Sequence, residues 1–141
     1  MRILLFTLGL LFACGSAADA MNYDRARFNY QMFCQGCHAP DGAGSANVPT
    51  MKGHVGNFLL TENGREYLVR VPGSATSSLN DDNLAEVLNW IVLEMGGESR
   101  QPDFRHYTAQ EVAELRQKPL NEVEHYRVQL LAEIAALETG E

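Results

Sequence analysis

The chain has 141 residues and carries 18 acidic against 11 basic side chains, a formal net charge of −7 at pH 7. This length suits one small domain with an extension. No basic stripe accompanies the acidic balance, so nucleic acid is excluded as an expected partner. The longest apolar run is too short to span a bilayer, so no transmembrane span is expected in the mature chain.

The first twenty residues have the pattern of an export signal. Arg2 supplies a positive charge, residues 3–12 form an apolar core, and residues 18–20 read Ala-Asp-Ala, an A-x-A cleavage site. We therefore predict a cleaved signal peptide over residues 1–20 and a periplasmic mature protein.

Cys14 introduces an alternative to simple cleavage. Residues 11–14 loosely resemble a bacterial lipobox, in which the cysteine becomes the lipid-modified first residue. A lipid anchor at Cys14 is therefore the second interpretation of this segment. Once the signal is removed, Cys34 and Cys37 are the remaining cysteines, so a larger disulfide framework is excluded.

The rest of the chain carries helical periodicity and helix-capping residues, and it predicts an all-α fold. Glycine, proline and asparagine mark a loop over residues 39–47. The predicted helices and their caps are 22–33 with Asn22, 61–71 with Thr61, 81–95 with Asn80 or Asp81, and 108–117 with Thr108. A last helix after Pro119 carries a narrow apolar stripe made of Val123, Tyr126, Leu130, Ile134 and Leu137.

The strongest motif is Cys34-Gln35-Gly36-Cys37-His38, directly after the first predicted helix. Two cysteines at this spacing can each add to a haem vinyl group, and the adjacent histidine can then reach the iron. A thiol–disulfide motif would be expected in a βαβ context, and a zinc site would need two further ligands. Neither setting is present in the sequence, so the motif predicts covalent haem attachment.

With this motif the chain resembles the monohaem class I c-type cytochromes over roughly residues 22–95. The other residues that carry the resemblance are Ala26 and Tyr30 before the motif, Pro49-Thr50-Met51-Lys52-Gly53 after it, and Val87 and Trp90 in the helix 81–95. The resemblance implies a cytochrome c-like domain over residues 21–95, in which the first and last helices cross. Residues 96–141 would then form a helical C-terminal extension.

The resemblance also implies the cofactor and its ligands. One haem c would be bound covalently through Cys34 and Cys37, with His38 as the proximal iron ligand. The carbonyl group of Pro49 would accept a hydrogen bond from the second ring nitrogen of His38. Arg65 and Arg70 are candidates to pair with the haem propionates, although solvated arginines are the commoner outcome on a short helix.

The distal iron ligand departs from the family pattern. The family places a methionine shortly before the last helix, but residues 69–78 contain neither methionine nor histidine. The sequence leaves Met51, Met95, His54 and an open or water-bound iron as alternatives.

The predicted function is electron transfer without catalysis. The protein would shuttle single electrons between a periplasmic dehydrogenase and a downstream acceptor, and its acidic surface suits a transient encounter with a basic partner. The alternative is a haem protein with an open distal site that acts as a ligand-binding, sensor or catalytic subunit. The distal ligand separates the two, because axial ligation moves haem potentials over about 0.8 V.

Overall fold

The computed structural model describes residues 21–139, so the predicted signal peptide and Cys14 lie outside the described residues. The described chain is helical and contains no strand beyond an isolated bridge between Ser45 and Val48, which confirms the all-α prediction. The helices are α1 (Tyr23–Phe33), α2 (Gln35–His38), α3 (Glu62–Arg70), α4 (Pro72–Ala75), α5 (Asp81–Met95), α6 (Ala109–Leu115) and α7 (Val123–Thr139), with 3-10 turns at Val55–Leu60 and Gly97–Ser99. Over residues 21–139, no helix combines the length and the apolar character that crossing a membrane requires.

Local side-chain caps begin four of the helices where the sequence predicts them. Asn22, Thr61, Asn80 and Thr108 each accept a hydrogen bond from the backbone N–H three residues later. Each cap satisfies an N–H group that has no partner within its own helix.

The core forms where α1 crosses α5. Ala26 and Tyr30 on α1 are buried, as are Val87 and Trp90 on α5, and all four belong to one apolar cluster. The Tyr30 and Trp90 ring centroids lie 5.1 Å apart. A small side chain at Ala26 is consistent with this close approach of the two helices, which positions the residues that follow α1.

The first part of the C-terminal extension packs on α5 and α3. Val112 of α6 and the preceding Tyr107 are buried in the same cluster as the α1–α5 crossing. The Asn89 side chain of α5 donates to the Tyr107 carbonyl group at 3.0 Å and accepts from the Tyr107 N–H at 2.7 Å. Residues 104–115 are therefore anchored to the domain that precedes them.

The last helix, α7, packs on a second apolar cluster. This cluster consists of Phe58, Tyr67, Leu120, Leu130 and Ile134. The rings of Phe58 and Tyr67 stack at 5.1 Å, and Tyr126 of α7 stacks on Tyr67 at 6.1 Å. Through these rings α7 reaches the side of the molecule where the Cys-x-x-Cys-His motif lies.

Candidate functional site

A single helical turn brings the motif residues together. The Cys34 carbonyl group accepts backbone hydrogen bonds from Cys37 at 3.2 Å and from His38 at 3.1 Å. The Cys34 N–H donates to the Tyr30 carbonyl group at 2.9 Å, which joins this turn to the end of α1. As a result, Cys34, Cys37 and His38 all line the same cleft.

The cleft encloses about 260 Å³, and most of its lining is apolar. Four groups of elements form its walls: the motif with the end of α1 and the loop Pro49–Met51, the 3-10 turn Val55–Leu60, the buried face of α5, and the pair α3–α4 together with α7. The apolar lining residues from these helices, the turn and the α3–α4 junction are Phe33, Val55, Phe58, Tyr67, Leu68, Val71, Leu84, Val87, Leu88, Ile91 and Val123. An apolar cleft beside two cysteines and an imidazole suits a flat, largely hydrophobic cofactor.

Burial favours the uncharged forms of the Cys34 and His38 side chains. Burial, reinforced by the neighbouring Cys37, raises the pKa of the Cys34 thiol to about 11. Burial also lowers the pKa of the His38 imidazole. A neutral imidazole has a lone pair available for a metal ion, so His38 is prepared to act as an iron ligand.

The two ring nitrogens of His38 lie in different surroundings. Its Nδ1 atom is buried and has no hydrogen-bond partner among the described residues. The hydrogen bond to the Pro49 carbonyl group implied by the family resemblance is therefore absent, and that prediction is wrong. Instead, the Pro49 carbonyl group lies against Gly44, where an added Cβ would be 2.9 Å from its oxygen. The Nε2 atom is not among the buried atoms without a partner, and the His38 side chain lines the cleft.

The three candidate distal ligands lie in different places. Met51 lines the cleft, whereas neither Met95 nor His54 does. Met95 is buried against the loop at Gly42, where a Cβ built on the glycine would lie 2.6 Å from the Met95 sulfur. Gly42 has φ of +75°, so glycine accommodates both this backbone conformation and the close methionine. His54 is exposed.

Met51 belongs to the same wall of the cleft as His38. Its N–H donates to the Gly42 carbonyl group at 2.8 Å, and the Gly44 N–H donates to the His38 carbonyl group at 3.0 Å. The loop that follows His38 thus brings Met51 back beside it, and the segment 69–78 supplies the cleft with Val71, Gly73 and Ser74.

Arg65 and Arg70 do not line the cleft, so neither is placed to pair with a haem carboxylate there. Arg65 is buried and its guanidinium binds Glu111 of α6, while Arg70 binds Glu66 and the Lys118 carbonyl group. The arginine in the cleft lining is Arg127 of α7, which no sequence pattern singled out. Arg127 follows Val123 by one helical turn, which the sequence shows. The residues around Arg127 in the sequence, however, do not indicate that this face of α7 reaches the cleft.

The cleft residues fit a c-type haem. Two cysteines at the attachment spacing and a histidine whose burial lowers its pKa converge on one apolar space. In such a site the cysteines would hold the porphyrin covalently and His38 would coordinate its iron. The haem, when bound, supplies reversible one-electron chemistry.

Comparisons with known proteins agree with this geometry. The chain is 35% identical over 106 aligned residues to cytochrome c-552 of Thermus thermophilus, covering 62% of this chain and 81% of that protein. It matches a second cytochrome c-552, from a particular strain of the same organism, at the same 35% identity, covering 72% of that protein. No protein-family model and no solved structure matches the chain. The sequence motif, the cleft and these relatives together show that the chain belongs to the monohaem c-type cytochromes, electron carriers that hold one covalently bound haem c.

Proposed function

We propose that Cys34 and Cys37 carry the two thioether bonds to the haem and that His38 is the proximal iron ligand. The observation that supports this assignment is the shared cleft, into which all three side chains are placed by one helical turn. Each thiol would add across a vinyl group, with the sulfur bonding one vinyl carbon and the proton passing to the other. The addition needs no oxidant or reductant.

Covalent attachment is tested in a bacterial host that matures c-type cytochromes. The denatured wild-type protein should keep its colour and gain the mass of one haem. The double variant Cys34→Ala, Cys37→Ala should lose both, while His38→Ala should lose the spectrum of a histidine-ligated iron. Covalent haem retained by the double variant would contradict the assignment.

The proposed role is the transfer of single electrons between a dehydrogenase and a downstream acceptor in the periplasm, with no substrate of its own. Cys37 is exposed, so one edge of the attached haem is expected at the surface, where an electron can leave. The net charge of −7 suits a short-lived encounter with a basic partner surface. A potentiometric titration should follow one-electron behaviour, with about 59 mV for each tenfold change in the ratio of the two forms.

Export to the periplasm is part of this proposal and depends on residues 1–20. Mass spectrometry of the mature protein from the periplasmic fraction should find Met21 at the amino terminus. A mature chain that begins with a lipid-modified Cys14 would instead establish the membrane-anchored alternative. Retention of residues 1–20 in the cytoplasm would contradict export.

A haem with an open distal site is the second candidate, and the cleft lining favours it. Within the described chain, Met51 is the methionine that lines the cleft, and the loop after His38 holds it on the same wall as His38. Met95 and His54 do not line the cleft. Carbon monoxide added to the reduced protein separates the two cases. Rapid binding would support a ligand-binding or sensor role. A sulfur-to-iron band in the oxidised spectrum, abolished by Met51→Ala, would support an electron carrier whose iron is ligated by methionine.

A further inference from the structure

Arg127 is the charged side chain in a cleft whose other described lining residues are apolar or neutral. It lies on α7, one turn after Val123, which also lines the cleft. Both residues come from the C-terminal extension and not from the part of the chain that carries the Cys-x-x-Cys-His motif. The extension therefore contributes a half-buried positive charge to the expected haem site.

Three other arginines with limited exposure have a carboxylate partner. Arg65 pairs with Glu111, Arg70 with Glu66 and Arg116 with Asp81. Arg127 has no hydrogen bond and no ion pair within residues 21–139. A cation at an apolar cleft without a counter-charge is unfavourable, so its position favours an anionic partner that occupies the cleft.

Tyr67 is the second polar group at the same place. Burial raises the pKa of the Tyr67 phenol, and the positive charge of Arg127 opposes that rise, so the guanidinium is close enough to act on the phenol. The Tyr67 ring is held by stacking on Phe58 and Tyr126. Its hydroxyl group can donate a hydrogen bond to the same anion that pairs with Arg127.

We propose that Arg127 and Tyr67 bind a carboxylate group, and that this group is a propionate of the covalently attached haem. The inference depends on the haem placement proposed above. Haem carries two carboxylates, and a guanidinium binds a carboxylate through two parallel hydrogen bonds. The C-terminal extension thereby acts as part of the haem site and helps to set the reduction potential of the iron.

The test compares the reduction potential of full-length mature haem proteins. In Arg127→Gln, the loss of a positive charge beside the haem should disfavour the reduced form. The equilibrium ratio of reduced to oxidised protein should fall about tenfold, which lowers the reduction potential by about 59 mV for one electron. Arg127→Lys should restore most of the potential because the charge is kept. Tyr67→Phe should lower the potential by a smaller amount, since the ring stacking is preserved.

Arg100→Gln is the matched control. Arg100 is also half-buried, but it does not line the cleft, so its replacement removes the same charge without touching the haem site. Its potential should stay at the wild-type value. An unchanged potential in Arg127→Gln, or an equal fall in Arg100→Gln, would overturn the inference.

The carboxylate bound by Arg127 and Tyr67 could also come from a small molecule in solution. A titration with sodium acetate at constant ionic strength distinguishes this source from the haem propionate. With the propionate already bound to Arg127, acetate should change neither the haem spectrum nor the potential. A saturable change that disappears in Arg127→Gln would overturn the assignment to the propionate. The haem attachment itself is followed separately by mass, so a wild-type protein without covalent haem would refute the proposed function instead.

Discussion

The two halves of the C-terminal extension attach to the rest of the protein by different means. Residues 104–116 are held by buried polar groups, whereas α7 is held by stacked rings and two buried aliphatic side chains, Leu130 and Ile134. Hydrogen bonds have fixed directions and specify one arrangement, while apolar contacts depend mainly on area. The first half therefore anchors the extension, and the second half forms a wall of the cleft beside the motif.

Arg65 is the centre of the polar half. Its guanidinium binds both carboxylate oxygens of Glu111 and the carbonyl groups of Arg105 and His106, and it lies 4.0 Å from the centre of the Tyr107 ring. Glu111 lies three residues after the cap Thr108, the position from which a glutamate can accept a hydrogen bond from the N–H of the capping residue. Its side chain binds Arg65 instead of the Thr108 N–H, because a buried guanidinium offers stronger, charge-assisted bonds.

The largest expected effect comes from breaking this anchor with Arg65→Ala. The arginine is 4% exposed, and its removal leaves the Glu111 carboxylate and two carbonyl groups without their donor. Removing one partner of a buried ion pair costs about 3–5 kcal/mol, so the free energy of unfolding measured in guanidinium chloride should fall by that amount.

Arg27→Ala is the control for this variant. Arg27 pairs with Asp24, and both side chains are exposed, so its loss should cost about 0.2–1 kcal/mol. Equal effects in the two variants would mean that the Arg65 network does not anchor the extension.

The apolar half is tested by Leu130→Ala in α7. Leu130 is 2% exposed and packs in the cluster with Phe58 and Tyr67. Truncation of a buried leucine costs about 2–5 kcal/mol, and we expect the lower part of this range because the cluster is small and lies beside the cleft.

Leu137→Ala is the matched control in the same helix. Leu137 is 56% exposed, so the same truncation should change the free energy of unfolding little. If Leu137→Ala destabilised the protein as much as Leu130→Ala, the packing face assigned to α7 would be wrong.

The smallest effect is a pH dependence that belongs to the polar half. Burial acts to raise the pKa of Glu111, but the hydrogen bond and charge of Arg65 outweigh it, and the net pKa lies below its ordinary value of 4.5. A lowered pKa means that the ionised form is favoured in the folded protein. The contribution of ionised Glu111 to the free energy of unfolding is thus fully present above about pH 4.5. It is lost as the pH falls through the lowered pKa.

Glu111→Gln should therefore cost about 1–2 kcal/mol at neutral pH, and the difference from wild type should shrink below pH 4.5. Unfolding curves of both proteins between about pH 3 and about pH 7 measure this difference. Glu114→Gln, at an exposed position of the same helix, should show no such convergence. A difference that stayed constant down to about pH 3 would contradict the ionised Glu111–Arg65 pair.

Several features of the site were accessible from short stretches of sequence. The spacing of Cys34, Cys37 and His38 indicates covalent haem without knowledge of the fold, and Asn22 and Thr61 predict where their helices begin. These features depend on residues within one helical turn of each other. The crossing of α1 and α5 was anticipated through the family resemblance, and the structure places Ala26 and Trp90 in its core.

Other features depend on residues far apart in the chain. Nothing near Met95 reveals that it packs against Gly42, and nothing near Arg127 reveals that it reaches the cleft lined by His38. The sequence makes Arg65 a candidate partner of a haem propionate, yet Arg65 binds Glu111, 46 residues later. Such pairings follow from how the helices dock, and a pattern within one helix does not contain that information.

The sequence by itself determined which cofactor this protein attaches and which secondary structure it forms, because a thioether motif and a helix cap each need only neighbouring residues. Only the tertiary structure decided which side chains line the cleft beside the motif. Packing of α7 on Tyr67 brings Arg127 into the cleft, and packing at Gly42 holds Met95 outside its lining. The physical reason is that burial and charge pairing are properties of three-dimensional neighbours, and those neighbours are chosen by the docking of the whole chain.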